Sequence, residues 1–264
     1  MNAQRSLATS GKSLQQAMER LSTGSKINSA ADDAAGFAIA ESMTAQVRGL
    51  SMSAKNASDA LGLLKVVENA TNDVTDMLQR IRELAVQAQS GTNSTGDIAN
   101  LQQEANALID EIGRVSEDTK YNGKARIGAD AATLNIQVGY NDGDTIAITT
   151  YNIKSENLGV MINDASTASP TDDKVLVALK KADGTYLNIA QTVTAEAGTT
   201  NKIPGALEVI TGAINQVAGY KASWGAGQNR LEYTVSNLMN VVEFTTAARS
   251  RIQDADFAME AAKL

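Results

Sequence analysis

The sequence predicts a mainly α protein: long antiparallel helices in an elongated bundle, with a β-hairpin and a small β-containing central insertion. Three observations carry this prediction. Apolar residues recur in steps of three and four over long stretches, the spacing of helices that bury a single stripe. The prolines are Pro170 and Pro204, so the first 169 residues contain no obligatory helix breaker. Aromatic residues make up 4% of a chain that is 43% apolar. The core must therefore be built mainly from Ala, Leu, Ile and Val, which suit helices packed about 8–10 Å apart.

Each element follows in chain order. Leu7, Leu14, Ala17, Met18 and Leu21 line a first helix that ends at Ser22-Thr23-Gly24. Residues 25–31 form a linker, and Ala31-Asp32-Asp33 supplies the cap of the next helix. That helix carries Leu50, Ala54, Ala57, Leu61, Leu64, Val67, Thr71, Val74, Leu78, Ile81, Ala85 and Ala88 without a gap, and stops at Ser90-Gly91. A shorter stripe, Ile98, Leu101, Ala105, Leu108, Ile112 and Val115, starts after the polar cluster Thr92-Asn93-Ser94-Thr95. The longest stripe runs Leu207, Ile210, Ile214, Val217, Lys221, Trp224, Gln228, Leu231, Val235, Leu238, Val242, Thr245, Arg249 and Ile252. A helix of roughly fifty residues spans about 75 Å. Lys221, Gln228 and Arg249 interrupt the stripe, where they either set register or reach solvent beside Gly219, Gly225 and Gly227.

Between the stripe ending at Val115 and the one starting at Leu207 the period changes to two. Leu134, Ile136 and Val138, then Ile146 and Ile148, flank the turn formers Tyr140–Asp144 and predict a hairpin. Val175, Val177 and Leu179 predict a second hairpin, turning at Ala182-Asp183-Gly184 into Tyr186, Leu187 and Ile189. Residues 151–203, rich in Thr, Ser, Asp and Gly, form the insertion, placed at one end of the bundle.

Composition narrows the function. The chain has neither His nor Cys, so the commonest general base, metal ligand and thiol nucleophile are all missing. No disulfide framework is available, and stability must come from packing and assembly. A net charge of −7 opposes a grip on nucleic acid, which needs a basic face. No apolar run is long enough for a membrane span, and no apolar core of a cleavable signal peptide stands at the start. Neither cofactor nor metal is called for. Asp32-Asp33 reads as dipole compensation, Asp254 and Asp256 lack a third ligand, and Tyr140–Asp144 lacks the Glu that a calcium loop needs.

Several long motifs then resemble the bacterial flagellins. Glu19-Arg20-Leu21-Ser22-Thr23-Gly24-Ser25-Lys26-Ile27-Asn28-Ser29-Ala30-Ala31-Asp32-Asp33-Ala34-Ala35-Gly36 is similar to their N-terminal signature. Residues 79–87 (QRIRELAVQ), 110–116 (DEIGRVS) and Tyr121-Asn122-Gly123 resemble later blocks in the family's order. Residues 228–231 (QNRL) and 250–256 (SRIQDAD) resemble its C-terminal half, so the resemblance covers 1–150 and 204–264.

The resemblance implies a self-assembling structural subunit of the extracellular flagellar filament, serving motility and not catalysis. Its partners would be other flagellin subunits, the flagellar export apparatus and the filament cap, with export of an unfolded chain lacking a cleavable signal. It implies a division into 1–31 and 255–264 as remnants of an inner core, 32–150 with 204–254 as the helical bundle, and 151–203 as a small outer domain. It also implies that both termini are shorter than usual, from which the expectation follows that this chain alone stays monomeric. Heterologous contacts would build the filament, from charges that include Arg80, Arg82, Glu83, Glu104, Asp110, Glu111, Arg114, Arg230, Glu232 and Arg249. Arg80, Leu84 and Glu111 match motif positions contacted by an innate immune receptor in the family, with subunit packing as the competing reading. Two other functions compete with the filament subunit. One is a hook–filament junction protein, which shares the terminal blocks. The other is a surface protein whose 151–203 region binds a polysaccharide or host receptor, although Tyr151 and Tyr186 are its only aromatics for sugar stacking.

Overall fold

A computed structural model describes residues 1–163, 174–195 and 202–261. Parts of the expected central insertion (164–173 and 196–201) and of the C-terminal segment (262–264) lie outside the described residues. The helices are α1 (Asn2–Thr23), α2 (Ala34–Ala88), α3 (Thr95–Asp118), α4 (Ala206–Gln253) and α5 (Phe257–Ala261). Antiparallel two-stranded sheets pair β3 (Gly159–Asn163) with β4 (Lys174–Ala178) and β5 (Thr194–Ala195) with β6 (Lys202–Ile203). A third two-stranded sheet joins β1 (Thr133–Gln137) to β2 (Thr145–Thr149). The chain divides into two compact units, and α2 and α4 contribute to both.

The first unit holds residues 1–58, 137–146 and 232–264. Gly24, at φ 73°, ends α1 in the left-handed conformation that glycine adopts without penalty, and its N–H donates to the Arg20 carbonyl. The following residues pair with the end of α4: Lys26 N–H donates to Gln253 O, and Ala255 N–H to Gly24 O. Of the adjacent acids at 32 and 33, Asp33 caps α2 and Asp32 closes the turn before it. Asp32 accepts from the N–H groups of Asn28 and Ser29, while Asp33 accepts from Ala35 and Gly36 at the start of α2. Those backbone donors hold the Asp32 carboxyl below its usual range. Asp256 caps α5 in the same way through Ala258 and Met259. The hairpin tip rests on α2, where Ser53 Oγ donates to Gly139 O and Gln46 to the Tyr140 hydroxyl. A Cβ at Gly49 would lie 2.8 Å from that of Tyr140, which explains a glycine inside a helix.

The second unit holds residues 59–136 and 147–231 and contains the deepest packing. On α2, Leu64, Val67, Thr71, Val74, Leu78, Ile81 and Ala85 are fully or almost fully buried, as the spacing predicts, while Leu61 of the same stripe is half-buried. Thr71 fits because its hydroxyl donates to Val67 O one turn back. Ser94 caps α3 and forms a reciprocal capping box with Asp97. The buried stripe of α3 is Ala105, Ile109, Ile112 and Ser116, so Ile109 joins the core and Leu101, Leu108 and Val115 sit at its margin.

On α4 one heptad set is buried: Ile210, Val217, Trp224, Leu231 and Leu238. The other set is half-buried and contains all three polar interruptions. In the second unit Lys221 Nζ donates to Asn72 and Gln228 to Glu68; in the first, Arg249 donates to Thr44. Every bond reaches α2, so these residues act as register pins between antiparallel helices.

The second predicted hairpin is rearranged. β4 pairs with β3, with Val177 opposite Val160, and not with residues 186–189. The turn itself forms, with Gly184 at φ 87°, and Leu187 N–H donates to Leu179 O. Its return arm goes no further because Gln102 of α3 captures Ile189 N–H and the Asn188 side chain captures Ala190 N–H. The described insertion residues lie alongside α3 from Gln102 to Glu117. They place Ile153, Leu158, Leu179 and Ile189 in the unit's core. Close packing here depends on Gly159, where an added Cβ would lie 1.9 Å from Val177 O. Gly159→Ala is expected to cost about 3 kcal/mol through a forced backbone shift, read as a lowered midpoint in denaturant unfolding.

Candidate functional site

The residues singled out for contact lie on α2 and α3 of the second unit. Arg80 bridges the two helices: its guanidinium donates to Glu104 (2.9 Å) on α3 and to Glu83 (3.1 Å) on α2. Its side chain stays 51% exposed, and the Glu104 bond, followed by that of Glu83, raises its affinity for the proton. Glu111 receives the Arg114 guanidinium in two bonds, and this pairing lowers the carboxyl's pKa. Arg114 also reaches Asp118. Glu111 lies two turns beyond Glu104, about 10 Å along the helix. Leu84, one turn from Arg80 in the opposite sense, is 1% exposed and faces the core. The three residues therefore form no single constellation: Arg80 and Glu111 are on the surface, and Leu84 supports α2 from beneath.

The remaining charges sort by role. Asp110 accepts from Lys180 (2.8 Å) and the Tyr186 hydroxyl (2.6 Å), which hold its carboxyl low, in that order of effect. It fastens the insertion to α3 and is not a free contact. Arg249 is a register pin, while Arg230 and Glu232 lie on the exposed side of α4. Arg82 is exposed and enters no ion pair among the described residues. With Gln79, Glu83, Val86 and Gln87 of α2 and Thr211 and Ile214 of α4, it lines an open groove of about 570 Å³. The groove was not foreseen; its signal was Val86, an apolar residue off the buried stripe and 52% exposed.

Among the described residues, no group of acidic side chains is arranged to hold a metal, and no helix is long and apolar enough to cross a membrane. Long helices held in register by side-chain hydrogen bonds, with paired charges on their exposed flanks, define a mainly α class of protein. The family model for the bacterial flagellin N-terminal helical region matches residues 1–127, and that for the C-terminal helical region matches 207–264. The chain is 39% identical to flagellin of Bacillus subtilis (strain 168) over 98% of this chain and 86% of the relative. It is 36% identical to flagellin of Serratia marcescens over 99% and 88%. It is also similar to the crystal structure of Bacillus cereus flagellin, at 23% identity and a TM-score of 0.48, covering 70% of this chain and 88% of that one.

The chain belongs to the bacterial flagellin family. It is a structural subunit of the extracellular flagellar filament, polymerises with other flagellin subunits and is not an enzyme. The junction-protein and surface-binding alternatives are not favoured.

Proposed function

We propose that the exposed flank of α2 and α3 is a contact surface between subunits, with Arg80 and Glu111 at its face and Leu84 acting through packing. The observation that carries this reading is the prior pairing of Arg80 with Glu83 and Glu104, and of Glu111 with Arg114. Paired side chains are already ordered, so a neighbouring subunit meets a rigid surface and loses less side-chain entropy on docking. Exposed pairs of this kind contribute only about 0–1 kcal/mol to folding, so their substitution separates assembly from stability. Arg80→Ala is expected to leave the unfolding midpoint nearly unchanged and to slow polymerisation onto filament seeds of an intact flagellin, followed by sedimentation beside the parent chain. Unchanged polymerisation with an unchanged midpoint would remove Arg80 from the contact.

A second reading is favoured by the exposure of Arg80 and Glu111 before any assembly: the same flank meets an innate immune receptor that senses subunits. The two readings separate on binding of the receptor ectodomain to Arg80→Ala. Delivery through the export apparatus to the cap as an unfolded chain is supported by the absence of Cys, since no disulfide has to form afterwards. The segments 1–31 and 255–264 would then form the inner core, 32–150 with 204–254 the bundle, and 151–203 the outward side.

A further inference from the structure

Tyr121-Asn122-Gly123-Lys124 contains the only Asn-Gly pair in the sequence. Asn122 has φ 51° and Gly123 φ 76°, the positive values at both central residues that define a two-residue type I′ turn. The turn is closed from both sides: Tyr121 N–H donates to Lys124 O (3.0 Å) and Lys124 N–H to Tyr121 O (3.2 Å). Each arm is also anchored. The Tyr121 hydroxyl donates to Asp59 O on α2 (2.9 Å), and Ala125 N–H donates to the Asp130 carboxylate (3.0 Å). Asn122, Gly123 and Lys124 are exposed, and nothing lies within 4 Å of where a Cβ at Gly123 would stand.

We propose that Asn122 is a site of spontaneous deamidation that the folded turn suppresses and the unfolded chain permits. In the reaction the Gly123 backbone nitrogen gives up its proton to water or hydroxide and attacks Cγ of Asn122. A bond forms between that nitrogen and Cγ, the Cγ–Nδ2 bond breaks, and ammonia leaves. Water then opens the five-membered imide at either carbonyl, giving aspartate or isoaspartate at position 122. The net change is one amide and one water converted to one carboxylic acid and ammonia.

Glycine favours the attack because no Cβ shields its nitrogen. The folded turn opposes it for a geometric reason. Bringing the Gly123 nitrogen onto Cγ requires a large swing of the Asn122 ψ angle, which carries the residue out of the left-handed region and breaks both closing hydrogen bonds. Reaction from the native state must therefore pass through local opening, and its rate is reduced by the fraction of time the turn is open. The product records time spent unfolded. Isoaspartate adds a backbone carbon where the turn has room for two residues, so a marked chain refolds without this tie between α2 and the segment after α3.

The test incubates the chain at one mildly alkaline pH and temperature, native and in guanidinium chloride, with peptide mass spectrometry at intervals. Asn122 is expected to convert at least about ten-fold faster in denaturant than in the native protein, the factor set by an anchored turn's opening. In denaturant it should also outpace Asn28 and Asn93, each followed by serine. Gly123→Ala should slow the reaction at Asn122 in denaturant, where folding plays no part. Equal rates in the two states, or no lead of Asn122 over Asn28 and Asn93 in denaturant, would overturn the proposal.

Discussion

Alanine in place of Trp224 is expected to destabilise the second unit by about 4 kcal/mol, the range for emptying a buried aromatic site. Trp224 is the chain's only tryptophan and is 1% exposed. Its indole N–H donates to Thr149 O (2.9 Å), which joins α4 to the end of β2. Tyr151 and Tyr220 stack at 4.1 Å between centroids, and each lies tilted against the indole at 6.1 and 6.3 Å. Desolvation in this cluster raises the Tyr220 phenol above its usual pKa. In a chain poor in aromatics, this one cluster fills a volume that alanines and leucines elsewhere fill in layers. Trp224→Phe separates its two contributions: packing is largely kept, and the Thr149 carbonyl loses its donor at a cost of about 1–2 kcal/mol. Denaturant unfolding followed by far-ultraviolet circular dichroism measures both. An alanine variant within about 1 kcal/mol of the parent, well below the usual cost of such cavities, would show that the cluster does not anchor α4.

Glu260→Ala is expected to have the second-largest effect, about 3 kcal/mol, because it strands a charge in the first unit. Arg20 on α1 donates to Glu260 on α5 at 3.2 Å, and the two side chains are 19% and 6% exposed. α5 has five residues and packs on α1, so it has few other means of staying in place. Beside the pair, Ala17 is the one residue of α1's predicted stripe that is buried, whereas Leu7, Leu14 and Met18 are exposed. Amide hydrogen exchange at the last turn of α1 and at α5 should accelerate in the variant. Replacing both partners with methionine should restore most of the protection, since the desolvation cost then disappears with the charges. Unchanged exchange in Glu260→Ala would assign the docking of α5 to other contacts.

The candidate site shows where periodicity stops being informative. Leu84 resembled a contact residue by motif, and its place in the core follows from the same rotation that buries Leu78 and Ile81. Lys221, Gln228 and Arg249 occupied stripe positions with two open explanations, register or solvent. Only the partners Asn72, Glu68 and Thr44, far away in the chain, decide for register. Charges behaved alike: Asp110 and Arg80 look equivalent in sequence, yet one fastens the insertion and the other bridges two exposed flanks.

Helix existence, caps and stops were set locally, by spacing of apolar residues, by Asp33, Ser94 and Gly24, and by the missing prolines. The chemistry excluded by lacking His and Cys was equally plain from composition. The β1–β2 pairing was legible from the turn formers between the strands, whereas the pairing of β4 needed the folded chain. A five-residue strand such as β4 is too short to specify its partner: it pairs with β3, while Gln102 of α3 takes the Ile189 N–H of the arm beyond the turn. Local bonds are encoded by neighbours, whereas pairing is a competition between distant segments that packing settles.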